Sequence, residues 1–228
     1  MSGFIRYWES SNGDFLIDIA EDFLLLLLSF LEFRYSSNNN NGLKSAFFKL
    51  DSISRDAKGP ITHFSIAASP TEQDYILIST RIRDTPYKQK LASLERGAKI
   101  LAWGPRGEFV LHDDHSKPAV FLSGGIGVTP FRSMIKYATD KQLPTKIIMF
   151  DSNRNQQNIL YKDEFDSCAR QNKNLKIIYT VKEEEEQANH TANWSGEHGR
   201  IDKSMLERHL TRSEIDNAVF YICGPLAC

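Results

Sequence analysis

The chain has 228 residues, of which 41% are hydrophobic and 25% charged, with a formal net charge of −1. That length can bury one large core or two smaller ones, and the charge balance excludes the broad basic footprint of a nucleic-acid binder. The three cysteines, Cys168, Cys223 and Cys228, are too few for an iron–sulfur cluster, which takes about four ligands, and do not form a disulfide framework. A reducing cytoplasm is the expectation.

Residues 1–35 give no clear pattern. Within them Phe23–Leu31 (FLLLLLSFL) is the strongest apolar run. It is far shorter than the ~20 residues that span a bilayer, and acidic residues flank it. A buried strand or short helix is the reading preferred over membrane attachment. Ser36–Gly42 is a polar loop. Short strands are expected at Ala46–Leu50, Thr62–Ala68, Tyr75–Ile82 and Lys99–Trp103, with turns at Arg96-Gly97 and Gly104–Gly107. Thr85 and Pro86 open a short helix to Leu94. Frequent short strands predict an antiparallel barrel.

The rhythm changes near Lys117. Strands at 118–122, Lys146–Phe150, Leu175–Val181 and Ala218–Ile222 alternate with helices at 130–140, Ile159–Arg170 and Ile201–Leu210. Such alternation predicts a parallel sheet. The expected architecture is a β-barrel domain over 1–115, with 1–45 atypical, then a Rossmann-like α/β domain over 116–228.

Residues 123–130 (SGGIGVTP) follow the apolar run Pro118–Leu122. Gly124, Gly125 and Gly127 allow a tight turn and close ligand approach. Thr129 is a suitable N-cap and Pro130 suits the first helical position. Backbone N–H groups and the positive helix end then converge on one spot, which suits a pyrophosphate. An ordinary tight strand-to-helix turn is the other reading.

Four segments occur in order: Phe64–Pro70, Gly104–Phe109, Gly124–Pro130 and Tyr221–Pro225. Together they resemble the ferredoxin–NADP reductase family of flavoprotein oxidoreductases, from about residue 46 onward. The resemblance implies a flavin-binding antiparallel barrel followed by an NAD(P)-binding domain, with FAD favoured over FMN. It implies that Ser65 lies near flavin N5 and that Phe64 packs on the flavin, flanked by His63 and Ile66. Thr80, Arg81 and Ile82 would run along the flavin ring and Thr85 would meet its pyrophosphate. Thr85 has a second reading as a plain helix cap, and Arg81 as a solvated strand residue. The family's arginine two residues before the aromatic falls at Thr62 here, a loss on the order of 1–3 kcal/mol for one charged hydrogen bond.

In the second domain the resemblance assigns Gly124, Gly125, Gly127, Val128, Thr129 and Pro130 to the NAD(P) pyrophosphate. Cys223, Gly224 and Pro225 would lie beside the nicotinamide. Cys223 would position rather than attack; its other reading is a buried structural cysteine. Asn153-Arg154 favours NADPH, whereas the run Glu183–Glu186 opposes a bound 2′-phosphate, and NADH is preferred. The implied reaction moves hydride from NAD(P)H to FAD and then electrons to a partner, such as a ferredoxin or an oxygenase component carrying the iron–sulfur centre. A nucleotide-binding module or subunit without redox activity is the alternative. No metal site, nucleic acid or membrane partner is expected. The family continues past Cys-Gly-Pro, so a shortened C-terminal tail and an exposed sheet edge are expected.

Overall fold

In the computed structural model the chain divides into two compact units, Met1–Val110 and Leu111–Cys228. The structure describes residues 45–50, 60–72, 75–94, 98, 100–182 and 194–225, and the backbone of two earlier strands. The expected loops at Ser36–Gly42 and Arg96-Gly97, the run Glu183–Glu186 and Cys228 lie outside these residues.

The first unit holds β1 (Leu16–Ala20), β2 (Phe23–Ser29), β3 (Ser45–Lys49), β4 (Ile61–Ser65), β5 (Tyr75–Arg81), α1 (Pro86–Ala92) and β6 (Leu101–Arg106). The apolar run at 23 is thus a strand, its β-branched partner β5 pairing with it from Phe23↔Arg81 to Ser29↔Tyr75. Two antiparallel three-stranded sheets form, in the orders β1-β2-β5 and β4-β3-β6. The bridge Ile66↔Ile78 joins them. Pairing of β1 with β6, which barrel closure would need, is not seen among the described residues.

Alternation along β4 sends Thr62 and Phe64 inward and Ile61, His63 and Ser65 outward. The core of the unit gathers Ala46, Phe48, Phe64, Ile66, Ile78, Tyr87 and Leu91, each under 8% exposed. The expected turn at Gly104–Gly107 is corrected: β6 runs through Gly104 and Pro105 to Arg106. A register irregularity between Ser45 and Phe47 on the paired strand absorbs the distortion.

The second unit holds β7 (Ala119–Gly124), α2 (Thr129–Asp140), β8 (Ile147–Asn153), α3 (Lys162–Gln171), β9 (Leu175–Val181), β10 (Glu197–His198), α4 (Lys203–His209), α5 (Arg212–Asn217) and β11 (Val219–Cys223). The five strands are all parallel, in the order β10-β9-β8-β7-β11. The predicted helix at Ile201–Leu210 is instead shorter, and α5 and β10 follow signals too brief to read as elements. Their caps are nonetheless local: Asp202 accepts from Met205 N, and Thr211 with Glu214 forms a capping box.

Both faces of the sheet are covered. Val120, Ile148, Phe150 and Ile178 pack with Met205 and Leu210 on one side. On the other, Phe121 stacks on Phe131 of α2 at 4.6 Å and the Tyr179 hydroxyl donates to Asp166 of α3. The buried Arg132 guanidinium of α2 pairs with Glu164 of α3 through Nε at 2.9 Å and a second nitrogen at 2.8 Å. This two-point ion pair fixes α2, and with it the turn at the start of α2, against α3.

Candidate functional site

All five parallel strands end on one edge. From β7 the chain steps through β8 to β9 on one side, and β11 returns on the other side of β7. The strand order therefore reverses between β7 and β11. In open α/β sheets the crevice outside the carboxyl ends at such a reversal is where ligands bind. The residues facing it follow from register: Ser123 lies opposite Cys223 on β11 and Asp151 on β8, and Gly124 lies opposite Ser152.

The glycine segment itself is a 3₁₀ turn, Gly125–Val128, set between β7 and α2. Gly125 has φ of +54°. Gly127 lies directly on the returning strand. A Cβ there would stand 2.2 Å from the Cys223 carbonyl oxygen and 2.7 Å from the Gly224 Cα. The absence of a side chain at 127 therefore serves protein packing, and it joins the two motifs that the sequence places a hundred residues apart.

The expected cap is corrected. Val128 caps α2, Thr129 is its first residue, and the Thr129 hydroxyl donates to the Ile126 carbonyl at 2.8 Å. Gly124, Gly127, Val128, Thr129 and Pro130 are buried; Gly125 and Ile126 are the half-exposed part of the turn. Cys223 is half-buried, and Gly224 and Pro225 are exposed beside it. Asn153 is buried and Arg154 exposed. The Lys182 N–H donates to the carbonyls of both, at 3.1 and 3.2 Å, which draws the ends of β8 and β9 together.

Sequence reasoning missed Asp151, although a lone acid ending the apolar run Ile147–Phe150 was a visible signal. It is fully buried. The Asn153 side-chain amide donates to its Oδ2 at 2.8 Å. Burial raises its pKa to about 7, against the pull of Ser123 and Asn153 toward the ionised form. Ser123 lies close enough to exert that pull, yet neither its Oγ nor Asp151 Oδ1 finds a partner within hydrogen-bonding geometry. Such orphaned polar atoms under a turn are what a polar ligand or water would satisfy.

In the first unit, the residues expected around a flavin separate into two sets. His63 and Ser65 sit on the outer face of β4, where His63 Nε2 and Ser45 Oγ are 2.5 Å apart and the His63 ring meets Phe47. Ile66 is core. Phe64 is core too, 7% exposed, packed by Phe48 and Tyr87. Thr80, buried, and Thr85, half-buried, gather with Phe64 around Lys88; Arg81 and Ile82 follow at the end of β5, half-buried. Thr85 caps α1, its Oγ1 accepting from Lys88 N at 3.3 Å. The Lys88 ammonium donates to Thr80 Oγ1 and lies 4.1 Å from the Phe64 ring centroid. Burial, then the nearby Arg83 charge, lowers its pKa to about 8. Lys88 carried no motif, so spacing gave no sign of it. Among the described residues no group of three or more His, Cys, Asp or Glu could hold a metal, and no helix is long and apolar enough to cross a membrane.

Residues 121–227 match the family described as oxidoreductase NAD-binding domain. Flavohemoprotein A of Dictyostelium discoideum is 30% identical over 73% of this chain, which spans 41% of that protein. That segment is an oxidoreductase NAD-binding domain of the ferredoxin reductase type. The fold agrees around this NAD-binding domain as well. The cytochrome b5 reductase domain of Ulva prolifera nitrate reductase superposes with a TM-score of 0.72 at 20% identity, covering 93% of this chain and 87% of that one. A ferredoxin NADP+ reductase from Neisseria gonorrhoeae, solved with bound FAD and NADP, gives 0.65 at 16% identity, covering 92% and 83%.

Two outcomes follow from this geometry. Gly127→Ala forces the backbone of the turn or of β11 to move, and is expected to cost about 1–3 kcal/mol in a denaturant melt and to weaken NAD(P)H binding. Asp151 binds its proton more tightly folded than unfolded, so its contribution is present below about pH 4 and is lost as pH rises toward 7. Asp151→Asn is therefore expected to melt higher than wild type at pH 8, with the gain shrinking at pH 5; a gain equal at both pH values would contradict the buried acid.

Proposed function

We propose that the chain is a reductase that moves hydride from NAD(P)H to FAD and passes electrons onward to a protein acceptor, a ferredoxin or oxygenase component. The observation that carries this reading is the packing of Gly127 on Cys223 and Gly224, which assembles one ligand-facing edge at the strand-order reversal of an oxidoreductase NAD-binding domain. A bound flavin would supply hydride acceptance and one-electron release.

The residues of this chain supply binding and orientation. Gly125 and Ile126 present the accessible backbone of the turn, and the dipole of the 12-residue α2 favours a dinucleotide pyrophosphate there. Cys223, small and half-buried, leaves space for a nicotinamide ring beside Gly224. Asn153 and Arg154 would meet the adenosine end. Exposed Arg154 and Lys182, held together through the backbone, suit a 2′-phosphate, so NADPH joins NADH as a substrate. In the first unit Ser65, on the accessible face of β4, would hydrogen-bond near flavin N5, with His63 beside it. Thr80, Arg81, Ile82 and Thr85 would meet the phosphate end of the flavin, with Phe64 and Ile66 in the core behind them.

A second reading, a nucleotide-binding module without redox activity, is favoured by one feature: Thr62 stands where the family pattern carries a phosphate-binding arginine. The two readings separate in an anaerobic visible spectrum of the chain mixed with FAD. The reductase is expected to hold flavin and to lose its absorbance near ~450 nm when NADH or NADPH is added. Flavin that is held but never bleached would reject hydride transfer, and a chain that stays colourless would support the binding module.

A further inference from the structure

Lys88 is half-buried, and among the described residues no carboxylate pairs with it. The half-buried lysines Lys136 and Lys162 each have an aspartate one helical turn away. Lys88 instead touches a neutral hydroxyl, Thr80, and the face of an aromatic ring, Phe64. The charge that bears on it is of its own sign, Arg83. Asp84, next in sequence, is exposed and makes no ion pair with it. An ammonium taken partly out of water and left beside another cation is costly unless an anion completes the site. The ring face offsets part of that cost, since ammonium over phenylalanine is attractive.

The Lys88 ammonium and the hydroxyls of Thr80 and Thr85 gather here, with the charge of the exposed Arg83 near enough to act on Lys88, a set that suits a tetrahedral oxyanion. Thr62 cannot take part in the same way. It lies on the inner face of β4, close enough to the Tyr87 hydroxyl to act on it, and that hydroxyl donates to the Phe48 carbonyl at 3.0 Å. Lys88 reaches the cluster from α1, across from β4, and brings a cation to it by a different route. We propose that Lys88 is the cation that holds a phosphate of the flavin nucleotide in this chain, standing in for the arginine absent at position 62. This rests on the flavin reading above.

The test is a fluorescence titration of the full chain with FAD, FMN and riboflavin, for wild type, Lys88→Gln, Lys88→Met and Lys88→Arg, each checked by circular dichroism for folding. Lys88→Met keeps the apolar stem over Phe64 and removes only the charge. Loss of one charge-assisted bond is expected to weaken FAD and FMN roughly 10–100-fold and to leave riboflavin, which has no phosphate, within about twofold of wild type. Lys88→Arg is expected to restore most of the affinity. FAD affinity unchanged in both neutral variants, or riboflavin lost to the same extent as FAD, would overturn the assignment. A wild-type chain that binds none of the three would overturn the flavin reading itself, a result distinct from either.

Discussion

The turn after β7 rests on the backbone of the last strand, with no space between them for even one methyl group. Gly127 meets the Cys223 carbonyl and the Gly224 Cα at distances that no Cβ could share. Everything at the ligand edge depends on that contact. It sets how far the 3₁₀ turn stands above the sheet, and so where Gly125 and Ile126 offer their backbone. It also holds Cys223 and Gly224 at the mouth of the crevice. The contact is possible because β11 pairs with β7 in parallel from Val219↔Ala119 to Cys223↔Ser123, so both strands end level. The Arg132–Glu164 pair steadies the other end of the arrangement by anchoring α2 to α3.

A second constraint is burial of polarity beneath this turn. Ser123, Asp151 and Ser152 end β7 and β8 inside the protein, each with an atom that lacks a partner. Apolar residues there would have stabilised the sheet more simply. Polar residues at the carboxyl ends of a parallel sheet cost folding energy and are expected where a ligand or ordered water completes them. The first unit shows a parallel case in Lys88, a cation beside Phe64 and Thr80 with no acid paired to it among the described residues.

Much of this was legible in the sequence. The alternation of apolar runs with helical stretches after Lys117 specified the parallel sheet, because runs such as Ile147–Phe150 are apolar on both faces, as a doubly covered strand must be. The glycines of 124–127 marked the turn. What spacing could not reveal was which glycine served the ligand and which served packing; that depended on β11 lying next to β7, a pairing between segments a hundred residues apart. The cap at Thr129 was misplaced because the 3₁₀ turn uses its hydroxyl for the Ile126 carbonyl. On β4, the family pattern sets Ser65 near flavin N5 and packs Phe64 on the flavin, whereas strand alternation sends the two to opposite faces. Lys88 and Asp151 were missed for a shared reason: their significance lies in what surrounds them, and a lone lysine on a short helix or a lone acid at a strand end has no signature of its own.

The proposed dinucleotide site is the carboxyl edge of the parallel sheet, where β7, β8 and β11 end together. The most direct measurement is an amide ¹H–¹⁵N spectrum of the isotope-labelled full chain, titrated with NADPH. The largest shifts are expected on Gly125, Ile126, Asn153, Arg154, Cys223 and Gly224, with α4 and α5 unmoved. Shifts concentrated on α4 and α5, with the turn unmoved, would put the nucleotide elsewhere and rule this edge out.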